Sequence, residues 1–323
     1  MRFKDLIFKN QIGNSIKMEK LINYSSAEGK ILKELFQTNS INPYIAFIVE
    51  SFIYKQVVNY WDGTDIIREK YLTKYEEKEG LYQSWYLEGQ KEYEYNLKEG
   101  KMEGLCQKWY AEGQKRSECY YRDGKAEGIF LGYHRNGQKG EECYYKEGKK
   151  EGLKQTWYRD GRNLVECYYK SGELEGLKQG WHKNGQKAEE CIYKAGEIEG
   201  LYQKWYKNGQ KAIECYYKAG KKEGLYQFWY EDGQRAVNAY FKEGKKYGLQ
   251  QTWHINGNIA RESNFKNGEF DGLDQGWHEN GIKYYEYNYK HGKEDGECKL
   301  WDENENLLSH ELYDEGRLIE KII

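Results

Sequence analysis

The fold is decided by one stretch, Gly200-Leu-Tyr-Gln-Lys-Trp-Tyr-Lys-Asn-Gly-Gln-Lys-Ala-Ile-Glu-Cys-Tyr-Tyr-Lys-Ala-Gly-Lys-Lys-Glu223. It is one copy of a 24-residue unit that occurs ten times in phase, with no insertion between copies. The glycines that open the copies are Gly80, Gly104, Gly128, Gly152, Gly176, Gly200, Gly224, Gly248, Gly272 and Gly296. We number positions within each copy from this glycine, which is position 0. Self-similarity at a fixed period predicts a repeat array, in which each unit packs only against its neighbours.

The composition favours such an array over one large globular core. Apolar residues make up 38% of the 323 residues and the mean hydropathy is −1.08, which is too polar for a single core. The 33 tyrosines and 10 tryptophans exclude a disordered chain. The net charge of −2 gives no electrostatic reason to expect nucleic acid or an anionic membrane as partner. No signal peptide is visible, so we expect a soluble, cytoplasmic protein.

Residues 1–56 lack the repeat and predict two or three short helices. Asn42-Pro43 is a helix N-cap followed by proline at the first helical position, and apolar residues follow at helical spacing up to Ile53. We interpret the segment as a helical cap that covers the first edge strand of the array. The alternative is an adaptor module, because residues 43–53 resemble the helical half of an F-box.

Each copy has the pattern of a β-hairpin. Two runs rich in Tyr, Trp and β-branched residues, at about positions 1–6 and 11–17, flank an Asn-Gly or Asp-Gly pair. Hairpins in series predict a mainly β fold. We expect an elongated, single-layer antiparallel β-meander of about ten to eleven hairpins, with a small α-helical N-terminal cap. We place the helical segment at residues 1–56, the array at 57–316 with a degenerate first copy at 57–79, and a C-terminal tail at 317–323.

The length of the hairpin loop decides which side chains share a face of the sheet. A two-residue loop would pair position 5 with position 12 and put Trp on the face of the Glu at position 14. A three-residue loop closed by a glycine bulge pairs position 5 with position 11 instead. We choose the three-residue loop because it groups the apolar side chains. It predicts one face of Leu201, Trp205, Cys215 and Tyr217, and a second face of Tyr206, Glu214 and Tyr216.

The unit resembles a known repeat family. The run Gly-Leu-x-x-x-Trp-Tyr-x-x-Gly-Gln-Lys, followed by Tyr-Tyr-Lys-x-Gly-Lys, resembles the MORN repeat, and most closely the bacterial and viral variant found in the YwqK-type antitoxin family. The resemblance covers about residues 57–316. It implies tandem hairpin repeats, and it implies an antitoxin that sequesters a toxin as one candidate function.

Three periodic rows of chemically active side chains each have a structural interpretation. Equivalent positions in adjacent copies are two strands apart, about 9.6 Å, which is beyond the roughly 7 Å Cα limit for a disulfide. We therefore interpret the position-15 cysteines as small buried residues, and the position-6 histidines as substitutes for tyrosine. The glutamates at position 14 predict a charge lattice with neighbouring lysines, with binding of a repetitive or basic partner as the alternative. Cys119, Cys143, Cys167, Cys191 and Cys215 form the first row, and His134, His182, His254 and His278 the second.

We find no phosphate loop, zinc-protease helix or nucleophile elbow, and so predict no enzyme, no cofactor and no metal. We predict a non-enzymatic scaffold that binds a protein partner through an exposed aromatic and acidic face. The binding residues expected there are Tyr158, His182, Tyr206, Tyr230, Glu166, Glu190, Glu214, Tyr168 and Tyr216. The structural ladder expected on the opposite face consists of Trp157, Trp181, Trp205, Trp229, Tyr169, Tyr193 and Tyr217. The open alternatives for the partner are a toxin or a second copy of the chain. An F-box-like adaptor and a membrane-surface protein are further alternatives.

Overall fold

The computed structural model describes residues 54–74 and 77–323, which divide into two compact units at Gly113 and Gln114. In the first unit, the described strands are β1 (Tyr54–Tyr60), β2 (Ile67–Lys74), β3 (Glu77–Trp85), β4 (Lys91–Lys98) and β5 (Lys101–Trp109). In the second unit, the strands are β6 (Lys115–Arg122), β7 (Lys125–Tyr133), β8 (Lys139–Lys146), β9 (Lys149–Trp157), β10 (Asn163–Lys170), β11 (Glu173–Trp181), β12 (Lys187–Lys194), β13 (Glu197–Ile198), β14 (Gly200–Trp205), β15 (Lys211–Lys218), β16 (Lys221–Trp229), β17 (Arg235–Lys242), β18 (Lys245–Lys246), β19 (Gly248–Trp253), β20 (Ile259–Lys266), β21 (Glu269–Trp277), β22 (Lys283–Lys290), β23 (Lys293–Trp301), β24 (Leu307–Asp314) and β25 (Arg317–Lys321).

Within each unit the strands follow one another as an antiparallel meander. Each strand from β1 to β5 pairs with the next in sequence, and the same holds from β6 to β25. The short strand β13 shares its partner β12 with β14, and β18 shares its partner β17 with β19. The predicted tail contributes β25, which pairs with β24 through Arg317–Lys321.

The predicted fold class, with its helical N-terminal cap, is wrong for the described part of the chain. Residues 54–74 and 77–323 contain strands and no helix, so none of them forms a helix long and apolar enough to cross a membrane. Strand β1 begins at Tyr54, inside the span assigned to the cap. Its sequence Tyr-Lys-Gln-Val-Val-Asn-Tyr is rich in aromatic and β-branched residues, and β2 supplies a pairing partner along its whole length. The rest of the predicted cap, residues 1–53, lies outside the described residues.

The hairpin loop has the predicted three residues. In the Gly200 copy the loop is Lys207-Asn208-Gly209, and Trp205 pairs with Lys211. The Gly209 amide donates to the Tyr206 carbonyl at 2.9 Å, which closes a turn of four residues. Gly209 has φ of 86°, a conformation that side chains other than glycine adopt only with strain. The position-9 glycine is therefore required by the backbone of this loop.

A bulge directly after the loop overturns the predicted grouping of side chains. Lys204 pairs with Ile213 while the next residue, Trp205, pairs with Lys211, so Ala212 is an extra residue on the second strand. One extra residue exchanges the two faces for the remainder of the hairpin. Position 1 therefore pairs with position 16, position 2 with 15, and position 3 with 14.

We name the two faces after their most constant side chains. The tryptophan face carries positions 1, 3, 5, 14 and 16, which in the Gly200 copy are Leu201, Gln203, Trp205, Glu214 and Tyr216. The cysteine face carries positions 2, 4, 13, 15 and 17, which are Tyr202, Lys204, Ile213, Cys215 and Tyr217. Trp205 and Glu214 thus share a face, contrary to the prediction. The tryptophans and the position-17 tyrosines, predicted as one ladder, lie on opposite faces.

The core is a row of small buried residues along the cysteine face. In the second unit the row runs through position 15, which holds cysteine, alanine or serine and is buried in each case: Cys119, Cys143, Cys167, Cys191, Cys215, Ala239 and Ser263. None of these cysteines forms a disulfide. Burial raises the pKa of Cys191 to about 11, which keeps the thiol neutral at ordinary pH. The interpretation of the cysteines as small buried residues is confirmed.

Candidate binding surface

The position-6 side chains, predicted to bind a partner, connect neighbouring hairpins in the structure. The Tyr206 hydroxyl donates to the main-chain carbonyl of Trp229 in the next copy at 2.7 Å. Tyr158 and Tyr230 donate in the same way to the carbonyls of Trp181 and Trp253, at 2.8 and 2.7 Å. These half-buried tyrosines fix the distance between successive loops, so little of their polar chemistry is left for a partner.

The histidines at position 6 perform the same task as tyrosine. His182 Nε2 lies 2.7 Å from the carbonyl oxygen of Trp205, and His134 and His254 make the equivalent contact at 2.8 Å. A carbonyl oxygen only accepts, so the Nε2 atom carries the proton and donates. Their interpretation as substitutes for tyrosine is confirmed, because both side chains place a donor at the same point.

The glutamates at position 14 are also engaged within the sheet. Glu214 accepts from Gln203 across the strand pair at 2.6 Å and forms an ion pair with Lys211 on its own strand. The lysine, with help from the glutamine, holds the pKa of Glu214 below its usual value. The same pairs hold Glu190, while Glu166 accepts from Gln155 at 2.9 Å and from an asparagine at position 11. The predicted charge lattice therefore exists, with glutamine as an additional member.

The tryptophans at position 5 are partly covered by the lysine of the preceding copy. Lys187 Nζ lies 5.6 Å from the centroid of the Trp205 ring, and Lys211 Nζ lies 5.7 Å from that of Trp229. A cation at this distance over an indole face is attracted by the ring quadrupole. Trp157 has the same arrangement with Lys139 at 5.4 Å.

The position-17 tyrosines pack on the cysteine face. Tyr217 meets Tyr202 edge to face with 5.7 Å between centroids, and burial raises the pKa of Tyr217 to about 12. Burial also raises the pKa values of Tyr169 and Tyr193. These residues cover the row of small side chains at position 15, which gives the single-layer sheet its interior.

A row of carboxylates at position 23, which the sequence reasoning missed, links the turn at positions 19 and 20 of each copy to the preceding copy. Ala219 and Gly220 both have positive φ, 46° and 71°, as a two-residue hairpin turn of the I′ type requires. The Ala219 amide donates to Glu199 Oε2 at 2.7 Å, twenty residues earlier in the chain. Equivalent contacts of 2.7–2.8 Å recur at Glu127, Glu151, Glu175 and Glu223. The signal was present, because an acidic residue precedes the opening glycine in nearly every copy.

A row of apolar side chains on the tryptophan face of the second unit is exposed, except for Leu201, which is half-buried. Within each copy, position 1 pairs directly with position 16. Leu201 pairs with Tyr216 in the Gly200 copy, and Leu225 pairs with Tyr240 in the next copy. Tyr168 is 47% exposed and Tyr216 is 56% exposed, so two of the nine predicted binding residues belong to this row. We call the row the apolar stripe, and it consists of Tyr120, Ile129, Tyr144, Leu153, Tyr168, Leu177, Ile192, Leu201, Tyr216, Leu225, Tyr240 and Leu249.

The apolar stripe ends where asparagine replaces the aromatic residue at position 16. Asn264 Nδ2 donates to the Leu273 carbonyl at 2.9 Å, and Asn288 Nδ2 donates to the Glu297 carbonyl at 3.0 Å. These asparagine side chains turn back onto the next strand, whereas the tyrosines at position 16 of the stripe project into solvent. The stripe is thus a bounded surface patch on β6 to β19.

A buried polar cluster on the cysteine face is the main departure from the repeat. Asp274, only 2% exposed, receives two hydrogen bonds of 2.8 Å from the Arg261 guanidinium and one of 2.6 Å from Ser263 Oγ. The Tyr285 hydroxyl adds a fourth at 3.2 Å. Both carboxylate oxygens are occupied by donors, so the cluster is suited to holding strands together and not to proton transfer. Two substitutions marked it in the sequence, an aspartate at position 2 and a serine in the cysteine row.

Throughout residues 54–74 and 77–323, no group of three or more His, Cys, Asp and Glu side chains could hold a metal ion.

These features define a β-hairpin repeat protein with an exposed apolar surface, and comparison with known proteins agrees for part of the chain. Four stretches match the MORN repeat variant model: residues 102–123, 198–219, 222–243 and 246–267. The resemblance to MORN repeats is confirmed for these stretches, which leave most of the chain unmatched. The comparisons do not identify the YwqK-type antitoxin family. No curated protein matches the sequence.

Two solved structures are similar to part of this chain. One is described as the crystal structure of TcdB2-TccC3, with 10% identity over 83% of this chain and 16% of that chain, and a TM-score of 0.18. The other is described as TcdB2-TccC3-Cdc42, with 9% identity over 82% of this chain and 17% of that chain, and the same TM-score. The chain spans about a sixth of the length of these matches. At such TM-scores neither match supports an inference about fold or function.

Proposed function

We propose that this chain is a non-enzymatic repeat scaffold that binds a protein through the apolar stripe. The observation that carries the proposal is the contrast between the stripe and the rest of the sheet. The conspicuous polar side chains at positions 6 and 23 are engaged by neighbouring copies, as Tyr206 and Glu199 illustrate, and Glu214 at position 14 is engaged within its own copy. The side chains of the stripe at positions 1 and 16 are exposed, except for the half-buried Leu201.

The size of the stripe supports a protein as its ligand. Its five tyrosines, each about half exposed, offer on the order of 100 Å² apiece. The seven aliphatic side chains add on the order of 60 Å² apiece, so the stripe presents roughly 900 Å² in total. A specific protein interface of standard size buries about 800 Å² on each partner. An exposed apolar patch of that area is typical of an interaction site and unusual for a surface without one.

The proposal is tested by comparing what three forms of the chain capture from a lysate of the source organism. One form is the natural chain, the second carries Tyr168→Glu with Tyr216→Glu, and the third carries the control pair Ile255→Glu with Leu308→Glu. The control residues are exposed and apolar but lie outside the stripe. Proteins captured by the natural and control forms and lost from the stripe variant support the proposal. Identical capture by all three forms contradicts it.

The antitoxin, F-box-like and membrane-surface alternatives stay predictions from the sequence, as does the cytoplasmic location.

A further inference from the structure

We propose that the apolar stripe is covered by the stripe of a second copy of this chain, which gives a two-fold dimer of sheets packed face to face. The inference rests on the proposed function, because it assigns an occupant to the same surface. Three features of the stripe point to a like surface: its length, its alternation of side chains, and the charges beside it.

The length of the stripe requires an extended partner. It crosses twelve successive strand positions from β6 to β19, which at about 4.8 Å per strand is about 50 Å. Because the whole stripe offers only slightly more area than a standard interface needs, a partner must engage most of it. A short peptide or a small globular domain covers a fraction of that length. A second copy presents an apolar stripe of the same length.

The alternation of side chains along the stripe allows two copies to interdigitate. Aliphatic and aromatic residues alternate from strand to strand, as in Leu153, Tyr168 and Leu177. When the two stripes are antiparallel with their ends aligned, each tyrosine of one copy meets an aliphatic side chain of the other, as Tyr120 meets Leu249. Alternating large and small side chains is how facing sheets fill the space between them. A two-fold interface must be self-complementary in this way.

Charges of both signs lie beside the stripe, so two like surfaces can be placed with opposite charges together. On the loop side lie ion pairs such as Lys187 with Glu190 and Lys211 with Glu214. On the turn side, Glu223 lies opposite Tyr216, while Lys218 lies opposite Lys221 on the adjacent strand. A polyanion or an anionic membrane requires an excess of positive charge, which these rows do not supply.

The test is sedimentation velocity on the purified full chain across a concentration series, with the same variants as above. We expect the natural chain and the control pair Ile255→Glu with Leu308→Glu to dimerise reversibly. Tyr168→Glu with Tyr216→Glu places four carboxylates in a two-fold interface and removes four tyrosine contacts. The dimer dissociation constant should therefore rise by at least about a hundredfold. Circular dichroism should show that all three forms keep their β structure.

Two outcomes would overturn the dimer. One is a natural chain that stays monomeric at every concentration, and the other is a dimer that the stripe variant leaves intact. If the purified chain is monomeric while capture from lysate still depends on the stripe, the second copy is wrong and the protein-binding scaffold stands. If neither dimerisation nor capture depends on the stripe, both proposals fall.

Discussion

The buried carboxylate of Asp274 offers the sharpest test of how the array is held together near its irregular copies. Asp274→Ala removes the acceptor of Ser263 Oγ. Ser263 is only 1% exposed, so its hydroxyl cannot donate to bulk solvent instead. An orphaned buried hydroxyl costs about 1–2 kcal/mol. The substitution also breaks the bidentate pair with Arg261, whose side chain is 41% exposed. Because solvent can rehydrate the guanidinium, this loss is discounted to about 1 kcal/mol.

The expected loss of unfolding free energy is therefore about 2–3 kcal/mol for Asp274→Ala. Asp274→Asn keeps one acceptor oxygen for the serine but replaces the oxygen that accepts from Arg261 Nη2 by a donor, so about 1 kcal/mol is expected. Glu279→Ala is the matched control. It removes an exposed carboxylate from the same copy and should change stability by less than about 0.5 kcal/mol.

Urea titration followed by tryptophan fluorescence gives the size of the effect, and hydrogen exchange over β20 to β22 gives its location. Both measurements are needed because repeat arrays can unfold in parts, which makes a single two-state value incomplete. The reasoning is refuted if Asp274→Ala and Glu279→Ala have the same urea midpoint and the same exchange rates. It is also refuted if Asp274→Asn is as damaging as Asp274→Ala, because the serine would then not need an acceptor.

Three further outcomes follow from contacts between and within copies. Tyr206→Phe removes the hydroxyl that donates to the Trp229 carbonyl, and should lower the unfolding free energy by about 1 kcal/mol in urea titration, whereas Tyr206→His should retain most of it. Glu199→Ala leaves the Ala219 amide to water, so its hydrogen exchange should become several-fold faster while distant amides are unchanged. The adjacent lysine and glutamine hold the pKa of Glu190 below 4.5, so its stabilisation is present above that pH and is lost as pH falls through the lower folded value. Urea midpoints measured from neutral to acidic pH should fall less steeply for Glu190→Gln than for the natural chain.

The hairpin and its loop could be predicted from sequence because they depend on local chemistry. Asn208-Gly209 has the turn residues that a three-residue loop with a positive-φ glycine needs, and the loop has that form. The burial of the cysteines and the equivalence of histidine and tyrosine followed from periodicity alone. Each of these predictions needed only one copy and its immediate neighbour.

The faces of the sheet could not be predicted, because they depend on a single residue of register. Ala212 is extra on its strand and buried, and no turn residue marks it as a bulge. Grouping the apolar side chains favoured Leu201 beside Cys215, whereas the pairing places Leu201 beside Tyr216. Hydrophobic pattern is a poor guide here because both faces of the sheet carry aromatic residues, so either register looks half apolar.

The predicted binding residues were chosen because their chemistry is conspicuous, and their role in binding a partner stays a prediction. Tyrosines, histidines and glutamates drew attention because they recur, but a side chain that recurs in every copy is a natural partner for the next copy. Tyr206 and Glu214 show this, since each makes its main hydrogen bond within the array. Tyr216 differs because it lies between Leu201 on one neighbouring strand and Glu223 on the other, whose carboxylate accepts from the Glu243 amide. In a repeat sheet, the surface open to a partner is therefore found by subtracting the contacts between copies, and what remains along the second unit is the apolar stripe.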